Sequence, residues 1–325
     1  MPYTKDPSMK SPSPAHIAAA RLNRGYLICI GATFLLSTTA IFIRYLTEEY
    51  RMPALVLAFW RDLFVVIGLL AGISLFKPSL RHIQKSQVGF FLAYGLILAA
   101  FNALWTFSVD LNGAAVATVL AYSSAAFTAI LGWWIFSEPL NAPKVLVVLV
   151  SIIGCALVSG AYNPATWQVN PFGIITGILT GLGYAAYSLM GKASANRGIS
   201  AWTVLLYGFS FATVFLLGFN LISSLAMGSQ PAKDLFWLGT STLGWAVLIL
   251  LAIGPTIGGF GLYTLSLGYL PASIANLIAT LEPVLTALLA YLFLGEQLTM
   301  AQITGSLLII GGVIILRLYE NRKFV

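Results

Sequence analysis

A chain of 325 residues that is 59% hydrophobic and 8% charged, with mean hydropathy +0.90, lies far from the soluble average of roughly half apolar and a quarter charged. Water is not its solvent, because the polar stretches are too short to wrap a water-soluble core. The net charge of +7 is spread over short loops and the two ends, which excludes the single basic patch or stripe of a nucleic-acid-binding face.

Residues 1–24, with Pro2, Pro7, Pro12, Pro14, Lys5, Lys10, Arg21 and Arg24, read as a flexible basic tail. The apolar run after it is too long for a secretory leader and lacks a small-residue cleavage site, so it reads as a retained anchor. Crossing the hydrocarbon takes about 20 apolar residues. Ten segments approach or meet that length, near 25–46, 53–76, 87–109, 113–136, 143–161, 171–191, 200–225, 240–267, 271–294 and 301–319. Alternating patterning of barrel strands is absent, which leaves helices, because backbone polar groups in lipid must be satisfied within their own segment. The expected fold class is an all-α membrane protein of ten transmembrane helices. Its expected domains are a first five-helix unit over 25–161, a second over 162–320 and a short tail over 321–325. Cys29 and Cys155 lie inside apolar runs, where cysteine behaves as a small hydrophobe, so neither a disulfide nor a redox role is expected.

Orientation follows from the lysines and arginines. With the amino terminus inside, the inner ends and loops hold Lys5, Lys10, Arg21, Arg24, Lys77, Arg81, Lys85, Lys144, Lys192, Arg197, Arg317, Arg322 and Lys323, against Arg44, Arg51 and Lys233 outside. Both termini are therefore expected in the cytoplasm, with the protein multi-pass in a bacterial inner membrane.

An internal repeat is the strongest pattern. An offset of 158 residues sets Leu104, Thr106 and Ser108 on Leu262, Thr264 and Ser266, and carries on without a gap through Glu138, Leu140 and Gly154 onto Glu296, Leu298 and Gly312. Five helices per copy is an odd number, so the second copy enters the membrane inverted. The charges agree, since the basic Lys77–Lys85 segment has as its counterpart the nearly neutral loop around Lys233 and Asp234. Inverted repeats give a transporter two similar halves that open to opposite faces around a site near the midplane.

The ends of the fourth and ninth segments, Ala121-Tyr-Ser-Ser-Ala to Trp-Ile-Phe-Ser-Glu138 and Ala279-Thr-Leu-Glu-Pro283 to Leu-Gly-Glu296, together with Phe59-Trp-Arg-Asp62, resemble the drug/metabolite transporter superfamily of the EamA type. The first copy departs from the pattern in having Ala125 where the second has Pro283. The resemblance implies a basket of ten helices around a central cavity, working by alternating access, often as an exporter of amino acids or related metabolites.

Glu282 lies about nine residues into its segment, some ~13 Å deep, where an acidic side chain costs roughly 2.5–3.5 kcal/mol and must face protein or water. It is either a proton acceptor or binder of an amine, or a brace for the Pro283 kink. On a helical wheel it falls with Ala275, Ala279 and Thr286, matched by Ala117, Ala121, Ser124 and Thr128; small residues allow those two helices to approach closely. Arg61 is expected to meet a substrate carboxylate, Glu282 or neighbouring carbonyls, and Asp62 to serve another helix, since adjacent helical residues point 100° apart. Asn102, Trp105, Tyr122, Ser124, Tyr184, Tyr187 and Tyr263 are the expected remainder of the substrate-binding wall, an apolar pocket with a few directional polar groups. Glu138 and Glu296 mark symmetric helix ends, structural or part of a gate.

No phosphate-binding G-x-x-x-x-G-K-[ST] loop occurs. The only histidines, His16 and His82, lie in the tail and a loop, so neither a metal nor a histidine-based catalytic site is expected and no cofactor is implied. The reading is a secondary transporter, not an enzyme, for a small molecule such as an amino acid or similar zwitterion. An organic cation is the rival substrate, and a lipid-modifying enzyme or a non-transporting scaffold the rival classes. Proton coupling and a homodimer stay open.

Overall fold

The computed structural model describes residues 14–166, 170–226, 228, 230–294 and 297–321. Ten helices among them are long and apolar enough to span a membrane, and their bounds follow the expected segments closely, from Ala19–Glu49 to Met300–Glu320. The first span joins α1 (Pro14–Ser37) and α2 (Thr39–Glu49). Helix therefore starts within the stretch read from sequence as tail, because His16 to Leu22 is alanine-rich and free of helix breakers. The second span is α3 (Ala54–Phe76).

The third and fourth spans share one run of helical backbone, α4 (Val88–Tyr122), continued by α5 (Ser124–Phe136). This is not one rod. A Cβ placed on Gly177 would meet both Ser108 Oγ at 2.7 Å and Leu120 Cδ1 at 2.5 Å, whereas a straight helix sets those two residues ~18 Å apart. The chain doubles back between them, and α7 (Pro171–Asn196) packs against both limbs. Only glycine permits that approach.

The fifth span is α6 (Ala142–Ser159), the seventh α8 (Ala201–Ala226), and the short α9 (Pro231–Leu235) follows. The eighth combines α10 (Thr242–Leu251), a π-helical stretch Ala252–Phe260 and α11 (Gly261–Ser266). The ninth joins α12 (Ala272–Ala279) to α13 (Glu282–Leu294), and the tenth is α14 (Met300–Asn321).

Lipid is as apolar as leucine, so the bundle is held by close packing and interhelical hydrogen bonds rather than by hydrophobic burial. The α6–α14 crossing illustrates it: a Cβ on Gly305 would stand 2.6 Å from Gly154 O, and one on Gly154 2.8 Å from Gly305 O. Outward-facing Leu75, Phe76, Leu146, Val214 and Leu307 are strongly exposed, as expected of a surface solvated by acyl chains. The start of the first span and the end of the tenth meet at one face, where Arg317 Nη2 donates to Asn23 Oδ1 at 3.2 Å. That face is termed the terminal face.

Three spans break, and each break is satisfied in the same way. Thr38, Ser123 and Thr280 donate their hydroxyls to the carbonyls of Leu35, Leu120 and Leu277, three residues back. Serine and threonine can thereby interrupt a helix in lipid without stranding the freed carbonyl. Two of the breaks are repeat-related, since Ser123 and Leu281 occupy equivalent positions at the 158-residue offset.

Candidate functional site

The breaks at Ser123 and Thr280 bring the middles of the fourth and ninth spans together. Ser124 Oγ donates to Asn276 Oδ1 at 3.0 Å, Asn276 Nδ2 to Ser188 Oγ at 3.3 Å, and Ser188 Oγ shares a 2.8 Å bond with Tyr263 Oη. Tyr187 Oη lies 3.1 Å from Thr264 Oγ1. All these residues are buried, so a polar thread drawn from both repeats crosses the apolar interior. Rings line it: the Tyr184 and Tyr263 centroids are 5.9 Å apart, those of Phe101 and Tyr184 5.4 Å, and those of Tyr94 and Tyr187 5.1 Å. Closely set tyrosines offer apolar faces with hydroxyl tips, the mixture expected of a pocket wall.

Glu282 opens α13 directly after the break and keeps partial exposure, while every residue of α12 before it is buried. Tyr122, Tyr184 and Cys155 lie close enough to its carboxyl to interact with that charge electrostatically. The structure thus gathers Glu282, Tyr122, Ser124, Tyr184, Tyr187 and Tyr263. Asn102 is buried and Trp105 half-buried on the third span, whose Phe101 stacks on Tyr184. Thr286 turns from the fourth span and donates to Ser37 O at 3.1 Å.

Arg61 and Asp62 correct the sequence expectation. Arg61 Nε donates to Asp62 Oδ1 at 3.0 Å, so the neighbours do neutralise each other, and Arg61 pairs with Asp62 rather than Glu282 among the described residues. The 100° separation along a helix is bridged because the arginine stem is long enough to fold back along the axis. Arg61 Nη2 and Asp62 Oδ2 are buried with no hydrogen-bond partner among the described residues. A buried polar atom left unpaired costs about 1–3 kcal/mol and calls for a water or a ligand.

Glu138 occupies an end of the bundle, apart from the polar thread. Ser137 takes a left-handed backbone (φ 54°) at the end of α5 and turns Glu138 inward. Its carboxylate accepts from Ala272 N at 2.7 Å and from the backbone N–H and hydroxyl of Ser273, capping the first turn of α12 from the other repeat. Lys144 Nζ donates to Ser273 Oγ at 3.0 Å. On the other side of the same turn, Lys192 Nζ donates to Leu267 O and Leu270 O at 2.9 Å each, and Arg21 Nη2 to Gly268 O at 3.0 Å. Cations on the carbonyl end of α11 and an anion on the amide end of α12 are the arrangement that both helix dipoles favour. The 267–271 turn and the start of α12 at the terminal face are thereby clamped from four other spans. The repeat partner of Glu138, Glu296, lies outside the described residues. That of Lys144, Gln302, bonds locally, its side-chain oxygen accepting from the backbone N–H of Thr299.

Asn276, Ser273 and Lys192 were not singled out from sequence. A straight wheel sets Asn276 about 120° from Glu282, and only the break at Thr280 lets both serve one interior. The signal available was an amide among the buried residues of an apolar span, which in lipid marks function or a helix contact.

Known proteins bear on this arrangement. An inner membrane transporter, YicL, of Salmonella typhimurium is 25% identical over 92% of this chain and 97% of its own. An S-adenosylmethionine uptake transporter of Rickettsia prowazekii is 24% identical over 89% and 92%. A probable amino-acid metabolite efflux pump of Salmonella typhimurium is 26% identical over 82% and 86%. A solved crystal structure superposes with a TM-score of 0.73 at 18% identity, over 92% of this chain and 98% of that one, which establishes likeness of fold. The model of the EamA-like transporter family matches twice, over residues 23–160 and 171–318. With ten spanning helices in two inverted copies and each copy matching that model, the chain belongs to the EamA-like transporter family.

Proposed function

We propose that the protein is a secondary transporter of a small zwitterionic metabolite, an amino acid or close relative, exported by alternating access with protons exchanged at Glu282. The observation that carries this is the half-buried Glu282 at the break of the ninth span, near Tyr122 and ahead of a polar thread contributed by both repeats. An intramembrane acid that protein does not fully enclose is a recurring element of proton relays and cation sites. The amine of a zwitterion meets Glu282. Arg61 Nη2, which lacks a partner among the described residues, is a group in the same bundle able to meet a carboxylate charge. The tyrosines receive the side chain. Two relatives, one named for uptake of S-adenosylmethionine and one for amino-acid metabolite efflux, both carry amino-acid moieties in those names, which favours this substrate class over a simple organic cation.

In this reading both termini are cytoplasmic, by the excess of lysine and arginine at that face, and the membrane is a bacterial inner membrane. The clamped 267–271 turn closes the cytoplasmic side. Proteoliposome transport of a panel of amino acids, amines and sugars tests the substrate class. Glu282→Gln keeps the shape of the side chain and cannot titrate. We expect it to fold, to bind substrate weakly and to lose the pH dependence of transport. A normal rate with an unchanged pH profile leaves Glu282 as no more than a brace for Pro283.

A further inference from the structure

A cleft of about 360 Å³ opens sideways between α3 and α8, away from the polar thread, lined by Val66 and Leu70 on one wall and Leu206, Tyr207 and Ser210 on the other, with Arg81 and His82 at its mouth. Val66 lies ten residues before the end of α3 at Phe76, so the cleft reaches ~15 Å into the bilayer, about one leaflet of a ~30 Å hydrocarbon core. Its mouth is at the terminal face. There the Tyr207 hydroxyl donates to Arg81 O and Thr203 Oγ1 to Leu80 O at 2.9 Å, which fixes the loop against α8 and holds the Arg81 and His82 side chains, both exposed, over the opening.

Charge is one-sided. From Leu63 to Val109 the sequence carries Lys77, Arg81 and Lys85 and no carboxylate. A second cleft, of about 250 Å³, lies on the other flank of α3, between Gly68, Gly72 and Phe76 and the side chains of Trp202 and Ile257, with Lys77 at its end. An apolar slot one leaflet deep with cations at the headgroup level matches one kind of occupant. Basic pockets between helices at such a face recognise anionic headgroups.

We propose that the α3–α8 cleft is a binding site for an anionic phospholipid of the leaflet at the terminal face, with an acyl chain between Val66, Leu70 and Leu206 and the phosphate held by Arg81 and His82. Occupation couples the loop after α3 to α8, since the headgroup ligands and Tyr207 belong to the two sides of the slot. Lipid composition at that face then sets how firmly those two spans are joined. The site stands independently of the substrate and coupling ion of the transport reading.

The test is thermal unfolding of the full purified chain in a neutral detergent, with native mass spectrometry as a second readout. Dioleoyl phosphatidylglycerol at a hundredfold excess over its Kd raises Tm by roughly 5 °C and survives as a retained adduct, while dioleoyl phosphatidylcholine does neither. Arg81→Gln, whose backbone bond to Tyr207 is untouched, loses most of the shift. Val66→Trp fills the slot, folds without added lipid and loses both shift and adduct, so it carries the test should the arginine variant be unstable. Equal shifts from phosphatidylcholine, full shifts in both variants, or a shift reproduced by inorganic phosphate or dihexanoyl phosphatidylglycerol each overturn the proposal.

Discussion

Glu138 shows how much one side chain does here. Its carboxylate takes two backbone amides and a hydroxyl of a helix 134 residues away along the chain, while Lys192 takes two carbonyls across the same turn. Replacing Glu138 by alanine strands the amides of Ala272 and Ser273. That costs on the order of 1–3 kcal/mol, enough to shift an open–closed ratio by roughly 5- to 150-fold. With Cys29 and Cys155 replaced, a cysteine at Asn276 is expected to label from the terminal face in the Glu138→Ala background and to stay protected otherwise. Protection in both leaves Glu138 a local cap with no part in closure. The repeat signal singled out Glu138 as a helix end, but not what it caps, because the partner amides belong to the other copy.

The eighth span is decided by Pro255. Its ring leaves no N–H for the carbonyl of Leu251 four residues back, and the helix widens to π geometry so that Thr256 serves Leu251 instead, its hydroxyl at 2.8 Å. The widening rotates everything after it by one residue and presents Tyr263 to Ser188 and Thr264 to Tyr187. Pro255→Ala restores the missing donor. The span is expected to return to α geometry, with stability kept or raised, while the rotated Tyr263 costs roughly tenfold in transport kcat/KM, the equivalent of about 1.4 kcal/mol. Unchanged transport in a well-folded Pro255→Ala variant removes the register argument. The first copy has Ile97 at the equivalent position and stays α-helical there, so the two halves differ where the site needs asymmetry.

At the scale of the whole molecule, the inverted repeat fixes a topology that can be checked directly. Pro139 and Gln297 are equivalent at the 158-residue offset, and both are exposed. Single cysteines at the two positions are expected to react with an impermeant reagent from opposite sides of the membrane. Labelling from one side contradicts the inversion. Sequence alone determined the ten spans and their pairing into two copies. Lipid forces each segment to satisfy its own backbone and to be apolar over a set length, so the span is a local property. The polar thread through Asn276, the Arg61–Asp62 pair and the clamp on the 267–271 turn were decided only by the tertiary structure. Their partners lie 75 to 247 residues apart or depend on a side chain folding back, and a helix break or a π turn rotates polar residues away from the face that a straight wheel assigns them.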